Sequence, residues 1–213
     1  MKPWWLKLAI GIGTYITIIP ISLCLIKLKK LDKTYFGIFF WMISMACIEY
    51  YAGYQFRLKI NNYPSWHLMI ALNVLFAGYY FYRILINRAL KLFVLIIGLS
   101  LLLFIAFNAF YIVDIYSHPN ISLATQCIVL MIWSFLYFHE LLQSKHIINL
   151  SQSPEFIIVS GILLYYGTTQ WLQLFQGITF RNNRELDLIF QFYNILFMIF
   201  YYVLIGVGVW KKQ

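Results

Sequence analysis

The chain has 213 residues, of which 62% are hydrophobic and only 11% are charged. This composition excludes a soluble globular protein, and it predicts a single polytopic α-helical membrane domain over residues 1–213. The formal net charge of +9 does not predict nucleic-acid binding. The basic residues lie mostly in short loops at the ends of apolar segments, so membrane lipids are the expected partners of these charges.

Seven apolar segments are long enough to cross a bilayer, which takes about 20 helical residues. In chain order they are Trp4–Leu28, Tyr35–Tyr54, Ser65–Ile86, Leu92–Val113, Ile121–Leu142, Pro154–Ile178 and Leu188–Trp210. Pro20 is an expected kink in the first segment. That segment is too long for a removable signal peptide and lacks a small-residue cleavage site. The predicted fold class is therefore all-α, a seven-transmembrane-helix bundle.

The lysines and arginines divide unequally between the two sides of such a bundle. Ten of the sixteen fall on the side that holds the connector LKKLDK and the C-terminal KKQ, and six fall on the other side. Cytoplasmic loops carry the excess of basic residues in most membrane proteins. The count predicts an N-terminus outside and a C-terminus in the cytoplasm.

With this orientation, polar side chains in six of the seven segments fall at one depth, in the outer half. Gln170 and Gln173 are three residues apart and share a helix face. Amides and carboxylates are costly in hydrocarbon unless they find partners, so they are expected to face other helices or water. The candidate ligand-binding residues are Glu49, His67, Asn73, Asn108, Gln126, Gln170, Gln173, Gln191 and Asn194.

Two interpretations of this polar layer remain open. Amides and carboxylates commonly join helices by interhelical hydrogen bonds, which would make the layer structural. The alternative is an outward-facing cavity that binds a small ligand or a lipid headgroup. Glu49 favours the cavity, because an ionisable residue inside a span is a functional candidate by default. We expect His67, Tyr111 or Gln170 among its neighbours.

Sequence motifs of known enzymes are missing from the chain. It contains no HExxH, GxSxG, Walker or CxxC pattern, and no lysine in the last span to carry a retinal Schiff base. All three cysteines lie in apolar segments and are expected to pack there. His139 and Glu140 are adjacent and point to different faces, which indicates a solvated helix end or a partner contact. We expect no enzymatic activity, no metal site and no cofactor.

Three stretches carry a family resemblance: NNYPSWHLMIALNVLFAGYYFYRIL, FNAFYIVDIYSHPNISLATQCIVLMIWSFLYFHELL and SPEFIIVSGILLYYGTTQWLQLF. They resemble an uncharacterised seven-helix membrane region of Bacteroidota, which occurs alone or ahead of cytoplasmic sensor histidine kinase domains. The resemblance implies a bacterial cytoplasmic (inner) membrane and a cytoplasmic C-terminus. The family often has a glutamate where this chain has Asn73, so a role carried over to that position is in question.

The sequence therefore favours a sensor-like protein that binds a small molecule or lipid in an outer-leaflet polar cavity. Because no kinase follows the last span, it would signal through a separate cytoplasmic or membrane protein partner. The alternatives are a structural subunit of a larger membrane complex and a small-molecule transporter component.

The orientation can be tested by cysteine labelling from outside intact cells. We expect a cysteine placed at Ser117 to react with an impermeant maleimide and one placed at Ser151 to stay unlabelled, because the charge count puts these loops on opposite sides. The unsubstituted chain is the control for background labelling. The reverse pattern would contradict the orientation and move the predicted cavity to the cytoplasmic face.

Overall fold

A computed structural model describes residues 3–143, 149–176 and 184–212, and the regular structure among these residues is entirely helical. The helices are α1 (Trp4–Tyr15), α2 (Ile18–Ile26), α3 (Lys33–Arg57), α4 (Tyr63–Ile84), α5 (Arg88–Phe107), α6 (Asn120–Gln143), α7 (Pro154–Gln176) and α8 (Arg184–Lys211). A π-helical turn, Asn108–Ile112, continues α5. Short 3-10 turns lie at Leu28–Lys30 and Leu150–Gln152.

Long apolar helices confirm the all-α class and the membrane character of the chain. Among the described residues five helical segments are long and apolar enough to cross a membrane: α1 with α2, α3, α5 with its π turn, α6, and α8. Helices α4 and α7 are long enough as well, but amides and tyrosines lower their mean hydropathy. The crossing of the membrane by all seven stays a prediction.

The first predicted span is divided into two helices near its proline. Helix α1 ends at Tyr15 and α2 begins at Ile18, just before Pro20. A proline has no backbone N–H, and its ring clashes with the carbonyl four residues earlier, here that of Ile16. That carbonyl instead accepts a hydrogen bond from the N–H of Ile19 at 3.1 Å. The expected kink is therefore a helix break one turn before the proline.

The helices form a closed bundle in which neighbours along the chain also pack in space. Helix α8 returns to pack on α1 and α2, and α4 touches α3, α5 and α6. Trp41, Trp133, Tyr80 and Phe81 fill the interior as fully buried side chains. Helices α7 and α8 pack closely at Gly208, where an added Cβ atom would clash with the side chain of Ile158 on α7. Small residues permit such contacts between membrane helices.

One end of the bundle, which we call the Lys212 end, is held by ionic contacts. The Lys212 Nζ lies 3.2 Å from Asp32 Oδ2 and 3.7 Å from Glu155 Oε1. Tyr35 donates its hydroxyl to the same Glu155 oxygen at 2.9 Å. Lys27 donates to the carbonyl of Lys212 at 2.7 Å and also to that of Trp210. These contacts join the start of α3, the start of α7 and the end of α8.

Glu140 has a structural role that the sequence did not predict. Its two carboxylate oxygens accept hydrogen bonds from the backbone N–H groups of Ile86 and Asn87, at 2.8 and 2.6 Å. These groups lie in the turn before α5, where backbone donors lack partners within the helix. The end of α6 thus fixes the start of α5, in place of the expected solvated helix end.

We expect Glu140→Ala to lower the free energy of unfolding by about 1–2 kcal/mol, because two backbone donors lose a charged acceptor. Thermal unfolding in a mild detergent measures this loss. Leu142→Ala is the matched control, since Leu142 lies on the same turn and is 84% exposed. Equal melting temperatures for the two variants would contradict a structural role for Glu140.

The pKa of the Asp32 carboxyl group predicts that the stability of the folded protein depends on pH. Burial alone would raise its pKa. The backbone N–H groups of Tyr35 and Thr34 and the Lys212 ammonium act the other way, and the net result is a pKa below its usual value. The folded-state pKa is therefore lower than the unfolded one. The resulting stability is complete above the unfolded pKa and is lost as the pH falls through the folded pKa.

We expect Asp32→Asn to lower the melting temperature at pH 7 and to have no effect in strong acid, where the wild-type carboxyl is protonated. Asn is as good an N-cap as Asp, so the substitution isolates the charge. The loss at pH 7 should be below about 1 kcal/mol, because the pair is partly exposed. Asp114→Asn, in the connector before α6, is the control. A loss that persists unchanged in acid would contradict the ionic role.

Candidate functional site

Asn73 lies at the centre of a hydrogen-bond chain across three helices. Its Oδ1 accepts from the Trp41 indole N–H at 2.8 Å, and its Nδ2 donates to the Tyr166 hydroxyl at 2.6 Å. All three side chains are buried. Asn73 therefore joins α3, α4 and α7 with partners on both sides of its amide, as expected for an interhelical contact.

Asn108 is placed differently, at the first residue of the π-helical turn that ends α5. Its Nδ2 donates to the Ser122 hydroxyl on α6 at 2.8 Å, and both side chains are fully buried. Its Oδ1 has no hydrogen-bond partner among the described residues.

Two more of the predicted residues are buried with one polar atom unpaired. Gln126 on α6 is 2% exposed, and its Nε2 has no partner within the described ranges. His67 on α4 is 5% exposed; its Nε2 lies 3.3 Å from the carbonyl of Ser117, whereas Nδ1 has no partner there. Native proteins leave few buried polar atoms unpaired, so each of these needs an explanation.

The positions of His67, Asn108 and Gln126 along their helices place them at a similar depth in the bundle. We call their side of the bundle the His118 end, after a histidine in the connector between α5 and α6. His67 is four residues from the start of α4, and Asn108 four from the end of the π turn. Gln126 is six residues from the start of α6. At 1.5 Å per residue they lie about 6–9 Å below that end, on helices that pack against each other.

The connector between α5 and α6 covers this end of α4. Asn61 donates its amide to the carbonyl of Tyr116 at 2.8 Å. The His118 ring lies 5.5 Å from the Tyr63 ring and 5.6 Å from the Trp66 ring, between centroids. Burial lowers the pKa of His118, so the imidazole is neutral near pH 7. The connector therefore contacts α4 directly above His67, through the Ser117 carbonyl and the His118 ring.

Glu49 is paired with a tyrosine of the last helix. Tyr202 donates its hydroxyl to Glu49 Oε1 at 3.2 Å, from a side chain that is 4% exposed. Tyr202 belongs to a cluster of aromatic rings on α7 and α8. Tyr165 and Tyr201 stack with their ring centroids 5.1 Å apart, and the Tyr201 and Tyr202 centroids are 5.0 Å apart. Glu49 thus accepts a hydrogen bond from the edge of an aromatic cluster.

The remaining predicted residues lie on α7 and α8. Thr169 donates to Asn194 Oδ1 at 3.5 Å, a long hydrogen bond between the two helices. Gln191 is half-buried and also has an interaction partner. The side chains of Gln170 and Gln173 lie outside the part of the chain that the structure describes. Tyr111, an expected neighbour of Glu49, is 79% exposed and stacks on Phe107 at 5.1 Å.

The chemistry available here is recognition by hydrogen bonds. Among the described residues no three His, Cys, Asp or Glu side chains are grouped to hold a metal ion. Sequence reasoning missed Tyr202 and Trp41, which supply the partners of Glu49 and Asn73. Adjacent tyrosines occur once in α7 and once in α8, and they could have indicated these buried partners. Adjacent tyrosines also occur at exposed positions in α3 and near a helix end in α4, so the pattern alone does not identify a partner.

Comparison of the chain with protein-family models, with characterised proteins and with solved structures gives no match.

Proposed function

We propose that this chain is a sensor-like protein of the bacterial cytoplasmic membrane, with seven spans and the N-terminus outside. In this proposal, the half of the bundle toward the His118 end binds a small molecule through hydrogen bonds. The helix ends at the Lys212 end then contact a separate signalling partner. The resemblance to the membrane region of sensor kinases supports the same function.

The observation that carries the proposal is the set of unpaired polar atoms on three adjoining helices. His67 Nδ1, Asn108 Oδ1 and Gln126 Nε2 are buried without partners in the described part of the chain. A buried polar atom without a hydrogen bond costs about 1–3 kcal/mol. A ligand that offers both a donor and an acceptor would recover this free energy on binding, and this gives the site its selectivity.

Glu49, on the side of α3 that meets α8, is a further candidate for ligand recognition. It is half-buried and has one described hydrogen bond, from the Tyr202 hydroxyl. A carboxylate has room for about four hydrogen bonds. It therefore retains acceptor capacity for a cationic or hydroxyl-bearing ligand, in a region where an ionisable group is expensive and commonly functional.

A structural subunit is the second candidate, and Asn73 favours it. Its amide is satisfied by Trp41 and Tyr166 at short distances, so this part of the polar layer joins helices without any ligand. The two candidate functions predict different effects on stability and on ligand retention when an unpaired amide, rather than a paired one, is replaced.

We expect Gln126→Leu to leave the melting temperature unchanged or higher, because it removes an unpaired donor from a buried position. We expect Asn73→Leu to cost about 2 kcal/mol or more, because it removes the acceptor of the buried Trp41 indole N–H and the donor to the Tyr166 hydroxyl. Native mass spectrometry of protein from its own membrane should show a small polar adduct that Gln126→Leu and Glu49→Gln have lost.

Tyr193→Phe is the control for this experiment, because Tyr193 lies on α8 and is 48% exposed. It should keep both the adduct and the melting temperature. Absence of any small adduct on the wild type, together with a loss of stability in Gln126→Leu equal to that in Asn73→Leu, would overturn the sensor proposal and support the structural subunit.

A further inference from the structure

An apolar groove lies on the outer surface of α3, α4 and α5, separate from the residues of the proposed sensor site. It encloses about 740 Å³, a volume in the range of ligand pockets. Val74 and Val94 form its buried floor. Phe36 and Phe40 of α3 form one wall, and half-exposed leucines of α5 form the other. Its lining is almost wholly carbon.

The groove has a cationic mouth at the Lys212 end. Lys33 is the first residue of α3, and Arg83 lies in the last turn of α4. Both line the groove and both are exposed. Neither forms an ion pair within the described residues. A third cation, the Lys91 ammonium, lies 5.5 Å from the centroid of the Tyr82 ring, which also lines the mouth.

The length of the groove matches one leaflet of a bilayer. Its lining on α4 runs from Val74 to Arg83, and its lining on α5 runs from Val94 to Leu102. At 1.5 Å per residue these stretches span about 12–14 Å. The hydrocarbon core of a bilayer is about 30 Å thick. The groove therefore extends from the headgroup level to near the middle of the membrane, which suits an acyl chain better than a compact ligand.

Gly37 of α3 leaves room for the Tyr79 ring of α4 at the wall of the groove. A Cβ atom at this position would lie 2.6 Å from a ring carbon of Tyr79, which no side chain could do without displacing the ring. Tyr79 can therefore pack directly against α3, and its hydroxyl donates to the carbonyl of Lys33 at 3.1 Å. This contact joins the wall of the groove to its cationic mouth.

We infer that this groove binds one phospholipid with an anionic headgroup. One acyl chain lies between the α3 and α5 walls, and the headgroup phosphate contacts Lys33 and Arg83. Cations at the membrane surface attract anionic lipid by about 1 kcal/mol each, which corresponds to roughly five-fold in affinity. The apolar walls supply affinity for any diacyl lipid, and the cations supply the preference for negative charge.

Native mass spectrometry with added phosphatidylglycerol and phosphatidylcholine tests this inference. We expect the wild type in mild detergent to retain one phosphatidylglycerol in preference to phosphatidylcholine. Lys33→Gln and Arg83→Gln should each reduce that preference roughly five-fold. Arg88→Gln is the matched control, because Arg88 is an exposed cation at the same end that does not line the groove, and it should keep the preference.

A second pair of variants tests the acyl-chain contact independently of charge. Leu99 lines the groove and Leu103 does not, although both are exposed on α5. Leu99→Trp should fill the groove and abolish lipid retention, whereas Leu103→Trp should retain the lipid. Equal retention of the two lipids by the wild type would overturn the inference, as would lipid binding unaffected by Leu99→Trp. So would a second protein chain bound across this face in place of lipid.

Discussion

The structure depends on the rule that a polar group entering hydrocarbon needs a hydrogen-bond partner within the protein. Helix formation meets that rule for the backbone, and the side chains must meet it between helices. The Trp41–Asn73–Tyr166 chain shows the result, since one amide joins two consecutive helices, α3 and α4, to the distant α7. Wherever the rule is met among side chains, the bundle has a fixed contact. Where it is not met among the described residues, as at His67 Nδ1, Asn108 Oδ1 and Gln126 Nε2, a buried polar atom stays unpaired at a cost in free energy.

The two ends of the bundle are held by different kinds of contact. At the Lys212 end, Asp32 and Glu155 pair with one lysine, and Glu140 satisfies the backbone before α5. At the His118 end, aromatic contacts and single hydrogen bonds hold the connector over α4, and unpaired polar atoms lie beneath it. Segments with fewer fixed contacts open at lower free energy.

The positions of the long helices were predictable, because each is a continuous apolar run. The predicted bounds agree with the observed ones to within four residues when the π turn is counted with α5; the predicted end at Ile178 lies outside the described residues. The break near Pro20 appears one turn before the proline, because the clash falls on the carbonyl four residues earlier. The pairing of Glu49 with Tyr202 and the contact of Glu140 with the turn before α5 were not predictable. Each joins groups far apart in the sequence, and helical periodicity carries no information about such partners.

The return of α8 to the first two helices constrains how the protein is assembled in the membrane. Glu49 and Tyr202 are separated by 153 positions in the chain, and Lys27 bonds carbonyls of residues 210 and 212. Contacts of such long sequence separation form late and slow the folding of a chain. Until the last helix is inserted, the α8-facing side of α1–α3 is open and Glu49 lacks its tyrosine. During synthesis this carboxyl group therefore needs water or another hydrogen-bond partner until α8 arrives, because an unpartnered polar group in hydrocarbon is costly.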